Sequence, residues 1–351
     1  MEGLRILFIS SRSDLGGGPK YLADLIVSIG SEAQVFVAAP NCEPFGPQFK
    51  KFSLGFFELP HRKFGFALWF SLLKWAKKNR IQVVHSHGTG AGIYSRLMKL
   101  AGFKVVHSYH GIHPRLGVVG KIRSCVERFV NPLTDAFVFV SESEKKIATQ
   151  RRLLGTRSSI VVYPMFRNVG RVSLEPKQLK PPFKLGALAR LDRIKGLDLL
   201  LNNLSCFRKM NPEIEWSFSH AGGGTDFPVI PEDLKDRVQF IGPVDEPFEF
   251  LRSLDVFLSS SLSEAFNISV LEAISQGLPC LISDIPGHHH FIKAGAASGF
   301  KIDQPTDFSF KLNELLKNVS PDSSAQKRFM EVHLSENSGE KYLIFLKQLC
   351  E

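Results

Sequence analysis

Long apolar runs are missing from this chain of 351 residues. No stretch approaches the roughly 18 uninterrupted apolar residues that a spanning helix requires, so no membrane span is expected. Cysteine is scarce as well: Cys42, Cys125, Cys206, Cys280 and Cys350 are scattered, odd in number and without a CxxC pair. That speaks against both a disulfide scaffold and a zinc site, and it fits a reduced, cytoplasmic protein. The opening MEGLRILFIS enters a strand at once, so no secretion signal is expected. Acidic residues are thin in the first half only. Residues 1–165 hold 23 Lys+Arg against 10 Asp+Glu, and residues 166–351 hold 21 against 24, which leaves +13 on the first stretch and −3 on the second. The first half therefore faces something anionic, or simply carries a basic solvated surface. A bilayer, an anionic lipid-linked acceptor and nucleic acid are the candidate partners.

What is present suffices for more than one core. The length suggests about two domains, and 44% hydrophobic with 22% charged residues is the balance of a soluble globular protein. Residues 4–9 (LRILFI) are a short continuous apolar run, as in a buried parallel strand. The loop SSRSDLGGGPK follows, then helical spacing at Leu22, Leu25, Ile26 and Ile29. Strand, glycine-rich loop and helix open a Rossmann-like unit, although GGG is not the GxGxxG of dinucleotide binding. Further strands are predicted at Gln34–Ala38, Gln82–His85, Lys104–Ser108 and Ala136–Val140, with helices between them, the alternation of a parallel sheet. His85, His87 and His110 fall near strand ends, where open α/β sheets bind ligands. No acidic or cysteine partner stands at ligand spacing from them, so no metal is expected.

Residues 45–80 mix aromatic and basic side chains. Phe66, Trp69, Phe70 and Leu73 recur at i, i+3, i+4 and i+7, which is one face of a helix. Such a face suits a membrane-surface contact, with lysines on anionic headgroups, or an ordinary sheet-covering helix. Aromatics beside basic residues also bind single-stranded nucleic acid, but no RNA-binding motif accompanies them, and nucleic acid is not expected as a partner.

Residues 166–182 are rich in proline and read as a linker between a first domain, 1–165, and a second, 183–336. The second opens with FKLGALARLDRIKGLDLLLNNL, a strand ending at Arg190, a turn with Lys195-Gly196, and a helix. Guanidinium and ammonium groups at a strand–helix junction suit a diphosphate. A strand at Trp216–His220 leads into Gly222-Gly223-Gly224, and strands at Val238–Ile241 and Val256–Ser259 follow. The chain then reaches SSSLSEAFNISVLEAISQGLPCLISDIPG (259–287), which is predicted to form a helix opening near Phe266 and a strand over Pro279–Ser283. Glu264 and Glu272 are separated by about two helical turns, so both carboxylates can border one cleft. The first N–H groups of that helix, around Phe266 to Ser269, lack intrahelical partners and make an anion site. Acids for sugar hydroxyls beside donors for phosphate point to a nucleotide sugar.

The E-x7-E of Glu264 and Glu272, followed by EAISQGLPCLISDIPG, resembles the donor-site signature of the family 4 retaining glycosyltransferases, which have the GT-B fold. ALARLDRIKG is similar to that family's R-x4-K-G element, and VVHSHGTGAGIYSRLMKLAGFKVVHSYHGIHP to part of its N-terminal domain. The resemblance covers nearly the whole chain. It implies an α/β GT-B architecture, two Rossmann-like domains with parallel sheets facing across a central cleft, with helix 337–351 packing back on the first. It also implies that Arg190 and Lys195 hold the donor diphosphate, Glu264 the donor sugar and Glu272 the ribose. His110 would stand beside the sugar. Gly17, Gly18, Gly222, Phe266, Asn267 and Ile268 would line the donor site. Gly287-His288-His289-His290 departs from the family, where an acidic residue is common, and the three histidines read as surface or acceptor-side residues.

The activity so implied is retaining, metal-independent hexosyl transfer from a nucleoside-diphosphate sugar, with a UDP-sugar the expected donor. The acceptor would be a glycan or lipid-linked saccharide in cell-surface polysaccharide or lipopolysaccharide synthesis. No cofactor is expected, and the expected location is the cytoplasm or the inner face of the plasma membrane. Two rivals are a GT-B sugar-nucleotide epimerase and a catalytically silent sugar-nucleotide-binding protein. The pairing of R-x4-K-G with E-x7-E disfavours the first, and the intact Arg190, Lys195, Glu264 and Glu272 disfavour the second.

Overall fold

The computed structural model describes residues 3–112, 125–165, 173–174, 179–317, 323–335 and 338–351. The chain divides into two compact units, Met1–Met165 together with Glu336–Glu351, and Phe166–Ser335. Most of the stretch 166–182 lies outside the described residues.

The first unit is built on seven strands: β1 (Leu4–Ser10), β2 (Ala33–Ala39), β3 (Gly55–Glu58), β4 (Val83–His87), β5 (Lys104–Ser108), β6 (Ala136–Phe139) and β7 (Ser158–Val161). Their order across the sheet is β3-β2-β1-β4-β5-β6-β7, and every pairing is parallel. Parallel neighbours need crossover connections that cover the sheet faces, so central strands become apolar throughout rather than alternating. Ile6 to Ile9 of β1 are accordingly all at 0% exposure. The winding turns back at β1 and β4, which pair directly with Ile6 opposite Val83.

The helix Gly17–Ile29 buries Tyr21, Leu22, Leu25, Ile26 and Ile29, the face its spacing predicts. The helix Phe66–Lys78 differs from the sequence expectation. Leu72 and Ala76 are its buried centre, flanked by Leu68, Trp69, Leu73 and Trp75 against the core. Phe66 and Phe70 instead point outward, 67% and 55% exposed, on the side of Lys74 and Lys77. The four-residue stripe is real, but the core meets only one edge of it. At 3.6 residues per turn, Phe66 and Phe70 fall beyond the buried arc.

The helix Ser338–Cys350 completes the first unit, burying Tyr342, Leu343 and Leu346. Its Tyr342 hydroxyl lies 2.8 Å from His85 Nδ1 of β4. His85 Nε2 lies 2.9 Å from Ser108 Oγ, and the Ser108 hydroxyl is itself donated to the Val138 carbonyl at 2.8 Å. Ser108 therefore accepts from His85 Nε2–H, and His85 Nδ1 is left to accept the Tyr342 proton. One chain of hydrogen bonds thus links the helix to three adjacent strands.

The second unit has six strands: β8 (Phe183–Leu188), β9 (Trp216–Ala221), β10 (Val238–Gly242), β11 (Val256–Ser259), β12 (Cys280–Ser283) and β13 (Ser298–Phe300). Their order is β10-β9-β8-β11-β12-β13, again all parallel. Leu200, Leu201, Leu204 and Phe207 from the helix Leu197–Met210 share one core with Phe308 and Leu312 from the helix Pro305–Lys317. Here the winding turns back at β8 and β11.

Replacing Tyr342 with Phe removes the donor and leaves the buried His85 Nδ1 unsatisfied. The expected loss is about 1–3 kcal/mol of unfolding free energy, read as a lower urea midpoint at unchanged slope. An unaltered midpoint would show that the bond adds nothing.

Candidate functional site

Past β8 the chain runs through Arg190 into a tight turn, Arg193–Lys195, whose cap is Asp192. One Asp192 oxygen accepts the Ile194 N–H at 3.2 Å, and the other pairs with Arg190 Nη2 at 3.2 Å. Gly196 follows with φ +62°, and a Cβ there would stand 2.2 Å from the Ser260 carbonyl oxygen, so no other residue fits. The Ser260 hydroxyl donates to the Gly196 carbonyl at 2.7 Å, lacing this turn to the loop that leaves β11. A second close passage lies at Gly222, φ +135°, where a Cβ would meet the Ala189 carbonyl oxygen at 1.9 Å.

The loop after β11 supplies Glu264. Its Oε1 accepts from Lys195 Nζ at 2.6 Å and from Ser261 Oγ at 2.8 Å. Burial works to raise this carboxyl, but the Lys195 ammonium, with His288 and Ser261, outweighs it and holds it below the ordinary range. Both cations named from the sequence therefore stand paired with carboxylates, Arg190 with Asp192 and Lys195 with Glu264. The following helix runs over Ile268–Ser275 and so opens two residues later than Phe266. Asn267 sits at its cap in extended conformation, but its amide turns inward. It donates to Ser259 Oγ and to His288 Nε2, each at 3.1 Å. Phe266 is buried against Phe291, and Glu272 is buried within the helix. Lys195, His220, Ser259, Ser261 and Asn267 line a small pocket over the ends of β8, β9 and β11.

The three histidines do not all read as the sequence suggests. His288 is fully buried, its Nδ1 donating to the Ser283 carbonyl at 2.7 Å while its Nε2 accepts from Asn267. His289 turns to solvent and reaches Asp284 at 3.0 Å. His290 is half-buried, 2.9 Å from His333 Nε2, and burial lowers it to about 4. Consecutive residues at a helix start point about 100° apart, so one of three adjacent side chains enters the core. Nothing in their identity marks which.

In the first unit β4 and β5 bring four histidines together. His87 Nδ1 and His110 Nε2 are 2.7 Å apart, so one proton is shared between them. His107 Nδ1 lies 2.8 Å from Ser86 Oγ. Gly17 and Gly18 begin the Gly17–Ile29 helix, and a Cβ at Gly18 would stand 3.9 Å from His110 Cβ. The Tyr21 ring meets His110 edge-on at 5.0 Å. Burial lowers His110 to about 4, and burial puts His85, His87 and His107 well below their usual range, helped by repulsion among the histidines and, at His107, first by the Arg96 guanidinium. All four imidazoles are neutral near pH 7. Among the described residues no group of three or more His, Cys, Asp or Glu is placed to hold a metal ion.

Two family profiles match, one described as Glycosyl transferases group 1 over residues 182–318 and the other as Glycosyltransferase Family 4 over residues 15–165. The chain belongs to the group 1, family 4 glycosyltransferases. This glycosyltransferase is 26% identical over 323 residues to the O-antigen biosynthesis glycosyltransferase WbnH of Escherichia coli, covering 88% of this chain and 89% of that one. It is 25% identical over 287 residues to UDP-Gal:alpha-D-GlcNAc-diphosphoundecaprenol alpha-1,3-galactosyltransferase of Escherichia coli, covering 70% and 68%. Its fold matches Anabaena Alr3699/HepE in complex with UDP and glucose with a TM-score of 0.78 at 14% identity, over 98% of this chain and 100% of that one. The lipopolysaccharide outer core galactosyltransferase WaaB matches with a TM-score of 0.73 at 18% identity, over 98% and 100%. The two Rossmann-like units are those of the GT-B fold.

Sequence reasoning about this glycosyltransferase missed Asp192, His107 and Glu144. Asp192 lies inside the ALARLDRIKG motif, two residues past Arg190. Glu144 is three residues past Ser141, whose hydroxyl caps its N–H at 3.1 Å, and that capping pattern was the available signal.

The buried histidines set an acid limit. The unfolded chain binds protons near 6.5, whereas folded His110 does so only near 4, so between those values the unfolded state holds more protons and stability falls as pH falls. His85, His87 and His107 add the same sign. Glu144, raised from 4.5 to about 7 by burial, opposes them, since its share is lost as pH rises, but it is one group against four. The urea midpoint is expected to drop as pH goes from 6.5 toward 4, and a flat or rising midpoint would refute neutral burial of the cluster.

Proposed function

We propose that this protein transfers a hexosyl group from a nucleoside-diphosphate sugar, a UDP-sugar foremost, to a hydroxyl of a glycan or lipid-linked saccharide acceptor. The reaction keeps the anomeric configuration and belongs to cell-surface polysaccharide or lipopolysaccharide synthesis. The observation that carries this is the pair of cations beyond β8, each matched to a carboxylate. Two cations 5 residues apart in sequence, tied by Gly196 and Ser260 to the loop of β11, suit the two phosphates of a diphosphate. The matched galactosyltransferases, and the neighbour solved with UDP and glucose, support the substrate class.

On this reading the diphosphate takes the place of the carboxylates. Arg190 and Lys195 turn to phosphate oxygens, joined by the N–H groups that open the Ile268–Ser275 helix. Glu264, released from Lys195, accepts hydrogen bonds from the sugar hydroxyls, and Glu272 accepts from the ribose. Gly222 lets the chain leaving β9 pass close against Ala189 and Arg190, and Phe266 and Asn267 hold the helix start in place. Gly17, Gly18 and His110 of the first unit serve the reacting sugar, His110 in its neutral form. The C–O bond from the anomeric carbon to the phosphate breaks, the acceptor oxygen bonds to that carbon on the same face, and the leaving phosphate oxygen takes the acceptor's proton. Positioning and stabilisation of the departing diphosphate then supply most of the rate. The protein's own cations neutralise the leaving group, so neither metal nor cofactor enters the scheme.

Replacing Arg190 or Lys195 with Ala is expected to cut turnover about a hundredfold or more in protein that stays folded; Lys195→Ala also lowers the melting temperature, because the buried Glu264 loses its counter-charge. Near-native rates in both variants would sink the diphosphate assignment.

The acceptor reading extends to a membrane contact. Among the described residues no helix is long and apolar enough to cross a bilayer. Phe66 and Phe70 stand exposed beside Lys74, Lys77 and Lys78 on a helix with no acidic residue, and Lys50 and Lys51 are exposed on the Phe45–Lys51 helix that precedes it in the chain. Rings at the interface and lysines on headgroups, each worth about 1 kcal/mol, suit an anionic surface. Changing Lys50, Lys51, Lys77 and Lys78 to Glu should release the protein from anionic liposomes at low salt and leave donor binding intact. Equal sedimentation of variant and parent would leave only a basic solvated face.

A further inference from the structure

His110 adopts φ +55° and Gly111 φ +124°. Two successive residues in that region are costly for a chain that includes a side chain as large as histidine, and they persist only where their surroundings fix them. The turn also aims the Gly111 N–H inward, where it needs an acceptor. Glu144 supplies it. Its Oε1 accepts from Gly111 N–H at 2.7 Å, and its Oε2 accepts from Val140 N–H at 3.1 Å. A single carboxylate therefore joins the turn that follows β5 to the end of β6.

Glu144 is the third residue of the helix Glu142–Gln150, whose cap is Ser141. A glutamate at that place ordinarily reaches back to the N–H of the cap residue itself. Here it passes the cap and spans two strand ends. It is 1% exposed, and no cation pairs with it among the described residues. Burial lifts its carboxyl to about 7, and the two backbone N–H groups draw it back down. Burying an acid with no counter-charge costs stability, so a neutral residue would serve a purely structural purpose better.

We propose that Glu144 is the positioning residue of this glycosyltransferase's His110, setting the imidazole by clamping the backbone that carries it. The ring is held from its other end by His87, so position depends on two contacts, one to the backbone and one to Nε2. Glu144 touches no substrate in this scheme; it acts through His110. The proposal rests on the reading of His110 as a residue that serves the reacting sugar.

The test is a double-mutant comparison in the full chain, with turnover and donor KM measured beside melting temperature. Glu144→Gln keeps the shape but offers one carbonyl acceptor in place of two oxygens, and Glu144→Asp keeps the charge but is too short to reach both amides. Each is expected to lower kcat about tenfold, with donor KM within about threefold, because the loss concerns an oriented group and not donor affinity. In the His110→Ala background the same changes should move kcat by less than about twofold, since coupled residues are not additive. If the effects multiply in the double variants, or if folded Glu144→Gln keeps the parent kcat, the proposal fails. Should Glu144→Gln not fold, Glu144→Asp carries the same comparison. A parent-like rate for His110→Ala overturns the reading of His110 itself, and the proposal with it. A slow His110→Ala whose defect adds to that of Glu144 overturns the proposal alone.

Discussion

A strand that runs parallel to its neighbour cannot be entered by a tight turn. The chain must cross the sheet, and every strand then finishes at the same edge. Both units obey this constraint without exception among the described strands, and each turns its winding back beside its first strand, at β1 and β4 and at β8 and β11. At such a reversal the two crossovers leave on opposite faces and the strand ends stand uncovered. The residues proposed to carry chemistry come from those ends. Arg190 and Lys195 follow β8, Glu264 follows β11, His87 closes β4 and His110 lies two residues past β5.

The strand ends that gather polar side chains differ between the two units. The second keeps full charges and neutralises them in pairs, with Lys195 and Glu264 at 2.6 Å and side-chain exposures of only 21% and 11%. At the ends of β4 and β5 the first unit instead buries imidazoles that burial holds neutral, joined to one another and to Ser86, Ser108 and Tyr342. Ion pairs suit a place that must accept and release an anion, because exchanging one negative partner for another changes the local charge little. Neutral rings suit a place where geometry must hold, since their hydrogen bonds are directional and no counter-ion competes for them.

Fold and site were legible to different depths. The β1 run LRILFI and the Leu22, Leu25, Ile26, Ile29 spacing carried the layout, because apolar periodicity records which side of each element meets a core. That Arg190, Lys195 and Glu264 stand at the ends of β8 and β11 could be read from the strand–turn–helix pattern and the glycine of the Lys195-Gly196 turn, whereas their pairing with Asp192 and with each other could not. The orientation of the Phe66–Lys78 helix was not legible: Phe66 and Trp69 share a stripe, and only the packed sheet decides where its edge falls. Nor was His288, whose partners Asn267 and Ser283 lie 21 and 5 residues away. Asn267 itself was named as a donor-side group, yet its amide supports the loop from within. Burial of a polar side chain depends on partners distant in sequence, and no local pattern reports them.

The Ser338–Cys350 helix sets an order of assembly. The bond from Tyr342 to His85 joins residues 257 positions apart, and the whole second unit lies between them in the chain. At synthesis rates of about 5–20 residues per second, the strands of the first unit wait on the order of ten seconds or more for the helix that covers them. During that interval Phe8 and His85, which the Tyr342 ring later packs against, lack their cover. The second unit has no such debt and can close its core as soon as residue 335 has emerged. In a growing chain the later-made unit is thus the first to be finished, and the earlier-made one is sealed by residues translated after both sheets exist.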